Sequence, residues 1–195
     1  MAERKTVVTK FRLSQTTLQS LQKEAREQKT SLNTLVNQII AKHIEWDTFA
    51  HKYGFVNFPQ DFYSGIILAT DESQLTKAAV DAGRQLREYL LFSFGKANAS
   101  TLVEALSFAG RYAGLGSIEL KSAGPRYRLA IHHHLGRKHS IYLSKLLETA
   151  IPLVIGSRPT SEVGDELVMM EFDGALPQEL ASFPQPKSEN EIRHF

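Results

Sequence analysis

The hydrophobic positions of this chain change period once within the first forty-six residues. Over residues 5–14 (KTVVTKFRLS), Val7, Thr9, Phe11 and Leu13 alternate with Val8, Lys10, Arg12 and Ser14. A period of two with β-branched and aromatic residues predicts a short strand with one apolar face. Ser14 then suits an N-cap, and Leu18, Leu21 and Ala25 follow at helical spacing, predicting a helix to about Gln28. Lys29-Thr30 form a tight connection and Ser31 is the next N-cap. Leu32, Leu35, Val36, Ile39, Ile40 and Ile44 mark one apolar face of a second helix that ends near Trp46.

Strand, helix, turn and helix of this size cannot bury themselves. A lone strand leaves its backbone groups unpaired along both edges, and two short amphipathic helices supply too little core. The simplest remedy is a second copy of the chain, its strand pairing antiparallel with the first and the helices interlocking. A homodimer through residues 5–46 is therefore expected, with a higher oligomer open.

Beyond Trp46 the pattern is that of a separate mixed domain. Residues 47–62 are rich in aromatics (Phe49, Tyr53, Phe55, Phe58, Phe62) and read as a junction. Helices are expected over 60–69, 73–94 and 100–112, a hairpin over 117–122 and 126–133 about Ala123-Gly124-Pro125, a helix over 137–154 and a strand over 166–172. The fold class is α+β: an N-terminal module over 1–47, a helix-rich α+β domain over 48–175 that senses or oligomerises, and a flexible tail over 176–195.

Composition narrows the function. The chain has 195 residues, 42% of them hydrophobic and none of them cysteine, which removes disulfides, thiolate nucleophiles and cysteine-based metal sites. No apolar run is long enough to span a membrane, and residues 1–10 are polar and basic without an apolar segment, so a cytoplasmic location is expected. The net charge of +2 is unevenly held. Residues 1–47 carry eight Lys and Arg against five Asp and Glu, and the remainder carries fifteen against sixteen. Arg4, Lys5, Lys10 and Arg12 make the start a basic strip, suited to a phosphate backbone.

The ordered spacing of Leu13, Leu18, Leu21, Ala25, Ser31-Leu32-Asn33, Leu35-Val36 and Ile39-Ile40 resembles the ribbon-helix-helix family of DNA-binding regulators over about the first forty-five residues. One departure is that Lys29-Thr30 replaces the glycine usual between the helices. The resemblance implies a dimeric, sequence-specific transcriptional regulator, acting as repressor or activator on double-stranded DNA. Its paired ribbon would enter the major groove, where Val8, Lys10 and Arg12 face outward toward base edges. The start of the second helix, at Ser31, Leu32 and Asn33, would clamp a phosphate with free N–H groups and a positive dipole end. The alternative is an antitoxin-like or other protein-interaction module with secondary DNA binding.

A second candidate lies at His132-His133-His134-Leu135-Gly136-Arg137-Lys138-His139. His132 and His134, two apart at a strand end, share a face and form a usable metal-ligand pair. Arg137, Lys138 and His139 open a helix where an anionic small-molecule effector could sit. The preferred reading of the histidines is a strand-to-helix corner, alternating between core and solvent, with no cofactor. No G-x-S-x-G, Walker A, dinucleotide-binding or H-E-x-x-H signature is present, and no enzymatic activity is expected.

Overall fold

The computed structural model of the chain describes residues 7–123 and 125–174, with only the backbone of Phe49 and Ser122. The flexible tail expected over 176–195 lies outside the described residues, as do Arg4 and Lys5. The protein is mixed α+β, and among the described residues its strands lie in the C-terminal half.

Residues 7–14 precede the first regular element and form no strand, contrary to the alternating pattern there. The physical reason is the absence of a ladder: a strand exists only through hydrogen bonds to a neighbour, and no described segment of the chain pairs with this one. Helix α1 (Gln15–Glu27) starts where the Ser14 side chain accepts from the Thr17 N–H at 3.1 Å. Helix α2 (Leu32–Lys42) starts likewise at Ser31, which accepts from the Thr34 N–H at 3.0 Å. Between them Lys29 adopts φ 52°, the left-handed region that a glycine would occupy without steric cost. The Lys29 N–H bonds to the Arg26 carbonyl and the Thr30 N–H to the Ala25 carbonyl, closing the helix end as a left-handed cap. Ala25 of α1 and Leu35 of α2 are buried.

Helix does not stop at Trp46. A π turn over His43–Asp47 leads directly into α3 (Thr48–Tyr53), which Gly54 ends at φ 80°. The chain thus passes the expected module boundary at residue 47 in unbroken helix. Helices α4 (Gln60–Ala69), α5 (Glu72–Phe94) and α6 (Ala99–Tyr112) follow. Asp71 caps α5 through the Gln74 N–H, and Asn98 with Thr101 forms a capping box on α6.

Strands β1 (Ser117–Ala123) and β2 (Arg126–His132) form the expected hairpin, and helix α7 (Arg137–Ile155) returns across the sheet. Strand β3 (Thr160–Val163), which the sequence pattern did not announce, pairs with β4 (Leu167–Asp173). The sheet order is β1-β2-β4-β3, antiparallel throughout. Alternate residues Tyr127, Leu129, Ile131, Val168, Met170 and Phe172 face the helices. There they meet Leu143, Leu147 and Ile151 of α7, with Leu90 of α5 and Leu102 of α6 completing one core. Each such side chain contributes roughly 1.5–3 kcal/mol by leaving water. The opposite sheet face is open and polar, carrying Glu119, Lys121, Arg128 and His132 beside Met169. Helix α5 lies close along α7: a Cβ on Gly83 would stand 2.5 Å from the Leu146 carbonyl oxygen.

Candidate functional site

Two places concentrate chemistry, and they differ in exposure. The first is the N-terminal surface. Val7, Val8, Phe11 and Leu13 are 77%, 91%, 65% and 51% exposed, and Lys10 and Arg12 are exposed among them. On α2 and the π turn, Ile39, Ile40 and Ile44 are 44%, 40% and 69% exposed. Seven large apolar side chains are exposed among the described residues up to Ile44. Single exposed apolar residues are ordinary on a protein surface; here they fall in two stretches of sequence, 7–13 and 39–44.

At the start of α2 the Ser31 hydroxyl also pairs with Thr34 Oγ1 at 2.8 Å. The first intrahelical bond runs from the Leu35 N–H to the Ser31 carbonyl, so the N–H groups of Leu32 and Asn33 lie ahead of it. Asn33 is exposed, and Leu32 is half-buried. No acidic residue occupies this first turn, leaving its positive end uncompensated. The Asn37 amide donates to the Asn33 carbonyl at 2.7 Å.

The second place is the corner from β2 into α7. His132 and His134 are exposed, whereas His133 between them is buried, as the strand's inward positions 127, 129 and 131 require. The Leu135 N–H donates to His133 Nδ1 at 3.2 Å, so the proton of this neutral ring sits on Nε2. Nε2 then donates to Ser140 Oγ at 2.9 Å, and the Ser140 hydroxyl donates to the Asp165 carbonyl at 3.2 Å. The donors run in one direction, from Leu135 to Asp165. In this tautomer His133 Nε2 is no base for Ser140, so the pair holds the corner rather than activating a hydroxyl.

His139 is as buried as His133, each 2% exposed, and their rings meet edge to face with centroids 4.7 Å apart. His139 Nδ1 shares a hydrogen bond with the Tyr63 hydroxyl of α4 at 3.1 Å, and Nε2 is buried without a hydrogen-bond partner. Burial, with His133 beside it, pushes His139 down to about 4; burial likewise lowers His133. Burial and the neighbouring Tyr142 raise Tyr63 to about 12. All three are neutral at physiological pH, a condition for keeping them inside.

The residues that the sequence groups at this corner have different partners. His134 Nδ1 faces Glu166 Oε2 at 3.3 Å, while His132 stands opposite Leu167 on the open sheet face. Among the described residues no group of three or more His, Asp or Glu is placed to hold a metal ion. Arg137 pairs with Asp165 at 3.6 Å. Lys138 Nζ donates to the Leu68 and Thr70 carbonyls, both at 2.7 Å, closing the end of α4. His139 points into the core. Each of the three basic side chains at the start of α7 thus has a separate occupation.

A third cluster was not singled out by sequence. The Glu45 carboxylate of the π turn accepts from Arg111 Nη1 at 3.0 Å and from the Tyr112 hydroxyl at 2.7 Å, both on α6. Trp46 is buried beside them, 5.2 Å from the Phe55 ring and 6.4 Å from that of Tyr112. The signal for it in the sequence is a tryptophan at the expected end of the second helix.

No family model, no curated protein and no solved structure is matched by this chain. No helix among the described residues is long and apolar enough to cross a membrane.

Proposed function

We propose that the protein is a dimeric, sequence-specific DNA-binding regulator that reads the major groove with a ribbon built from residues 7–13 of two chains. One observation carries this reading. Val7, Phe11 and Leu13 stand exposed directly before two capped helices, of which the second exposes Ile39 and Ile40 and the π turn after it exposes Ile44. A second copy supplies both missing components, a ladder for the segment and a cover for the isoleucines.

In that arrangement Phe11 and Leu13 turn toward the helices, while Val8, Lys10 and Arg12 turn outward. Lys10 and Arg12 donate to O6 and N7 of guanine, and Val8 packs on a thymine methyl. The open N–H groups of Leu32 and Asn33 hold a phosphate and fix the register of the ribbon on the duplex. The folded domain over 60–173 serves as sensor or further assembly surface, and its ordered sheet distinguishes it from a disordered partner-binding tail.

Sedimentation at micromolar concentration, followed by selection of bound sequences from random DNA at two salt concentrations, tests the reading. A dimer that enriches one sequence, with affinity falling steeply in salt, supports it. A monomer, or a pool without enrichment, overturns it.

A further inference from the structure

The helix from Leu32 to Tyr53 is continuous, yet it contains a π turn in its middle. A π turn carries one residue more per turn than the α-helix around it and is the less favourable geometry, so something must hold it. Its widened turn is closed by the Thr48 N–H reaching back five residues to the His43 carbonyl, which also accepts from the Thr48 hydroxyl at 3.0 Å. Within the turn, Glu45 and Trp46 are the residues docked on α6, through Arg111 and Tyr112. Ile44, between His43 and Glu45, points to solvent with Ile39 and Ile40 before it.

We propose that this π turn is a register switch by which the C-terminal domain sets the rotation of α2, and so the strength of the dimer. The inference rests on the dimeric reading above. While Glu45 and Trp46 are gripped by α6, the turn stays wide and Ile39, Ile40 and Ile44 keep the orientation seen here. When the grip loosens, the turn narrows to an α-helix. Removing the extra residue from the turn rotates everything upstream of it by about 100° against α6. The same helix carries the apolar dimer face and, at its start, the Ser31–Asn33 phosphate clamp, so one rotation alters both. Two discrete helical geometries give the device the bistability that coupling between distant sites requires.

The test uses Glu45→Ala, Tyr112→Phe and the exchanged pair Glu45→Arg with Arg111→Glu, each in the full chain. Alanine is a strong helix former, so the first variant keeps the segment helical. Trp46 is the sole tryptophan and reports the grip by its emission. Glu45→Ala removes both bonds to α6, and should shift that emission to the red and weaken the dimer on the order of tenfold. Tyr112→Phe should do so to a smaller extent, and the exchanged pair should recover most of both losses. Emission that moves while the dimer constant stays within twofold overturns the proposal, because the grip is then not transmitted. Unmoved emission in every variant overturns it as well. Should the wild-type chain prove monomeric, the dimeric reading falls and amide exchange decides about the turn itself. Faster exchange over 39–44 in Glu45→Ala then supports a turn held by α6, and unchanged exchange refutes it.

Discussion

A Cβ placed on Gly116 would lie 1.9 Å from the carbonyl oxygen of His132, one residue before the β1–β2 ladder begins at Ser117 and His132. Gly116 also has φ +110°, a conformation that side chains rarely adopt. Both the space and the backbone demand glycine here. Gly116→Ala should therefore cost more than about 3 kcal/mol, a size seen when backbone strain and overpacking coincide. That corresponds to a fall in melting temperature of roughly 6–12 °C for a chain of this length, read by calorimetry. A variant melting within 2 °C of the wild type would show that β1 starts elsewhere.

Lys29 gives a prediction of opposite sign. Its side chain adds nothing that the left-handed cap needs, and a Cβ at φ 52° carries a steric cost. Lys29→Gly should stabilise the chain by roughly 0.5–1 kcal/mol, because the relief of strain exceeds the added freedom of the unfolded chain. Lys29→Val should destabilise it by more than that. Urea midpoints with unchanged slope check both.

The buried histidines make stability depend on pH in a defined window. His139 has an ordinary value of 6.5 when unfolded and about 4 when folded. Between those values the unfolded chain binds a proton that the folded chain refuses. Stability is therefore complete above pH 6.5 and lost progressively as pH falls toward 4. His139 alone accounts for roughly 3 kcal/mol over that range, and His133, also lowered by burial, steepens it. His139→Gln retains a polar partner for the Tyr63 hydroxyl but cannot titrate, so the rise in urea midpoint between pH 4.5 and 7 should be visibly flatter. An unaltered slope would place the proton uptake on another group.

How far the sequence revealed this fold depended on whether a signal was local. The β1–β2 hairpin was legible because two alternating runs flank Ala123-Gly124-Pro125, and α7 because Leu143, Leu147 and Ile151 keep helical spacing. Strand β3 was not. Thr160 to Val163 is a short edge strand with half-buried Ser161 and Val163, and only β4 beside it makes it a strand. The alternation of the histidines between core and solvent was legible, and the period of Tyr127, Leu129 and Ile131 puts His133 on the buried side. Its neighbour His139 could not be assigned a partner, since Tyr63 lies 76 residues away. The π turn was not legible, because it begins only at His43 and Ile44 still falls four residues after Ile40, as an α-helix would place it. At the N-terminus the pattern announces a strand that the described residues of one chain do not form, and the proposed dimer would supply the missing ladder.

Helix contact supplies a further check on the core. Gly83 of α5 lies so near α7 that a Cβ would stand 2.8 Å from Thr149 Cβ as well as 2.5 Å from the Leu146 carbonyl. Alanine is the better helix former by about 1 kcal/mol, so in an open site Gly83→Ala would stabilise. Here α5 and α7 must separate to admit the methyl group, at a cost of roughly 1–3 kcal/mol. The net effect should be destabilising by about 1 kcal/mol or more. Gly83→Ala with Thr149→Ser should not recover it, because the backbone oxygen of Leu146 remains in the way.

Arg12 decides between base reading and simple attraction. As a base reader its guanidinium makes two parallel bonds to one guanine, worth ~1–3 kcal/mol of discrimination. Arg12→Ala should then weaken the selected sequence by that amount and flatten the preference at one base pair, with little effect on random DNA. As a phosphate contact it would instead weaken all sequences alike and reduce the slope of affinity against salt by about 0.9. Measuring both sequences at two salt concentrations separates these outcomes. Lys10, two residues away on the same exposed segment, serves as the internal comparison. If neither variant changes affinity or preference, the outward face of the ribbon is not 8, 10 and 12. The strand register would then have to shift by one residue, turning Phe11 and Leu13 outward, an arrangement their apolar side chains oppose.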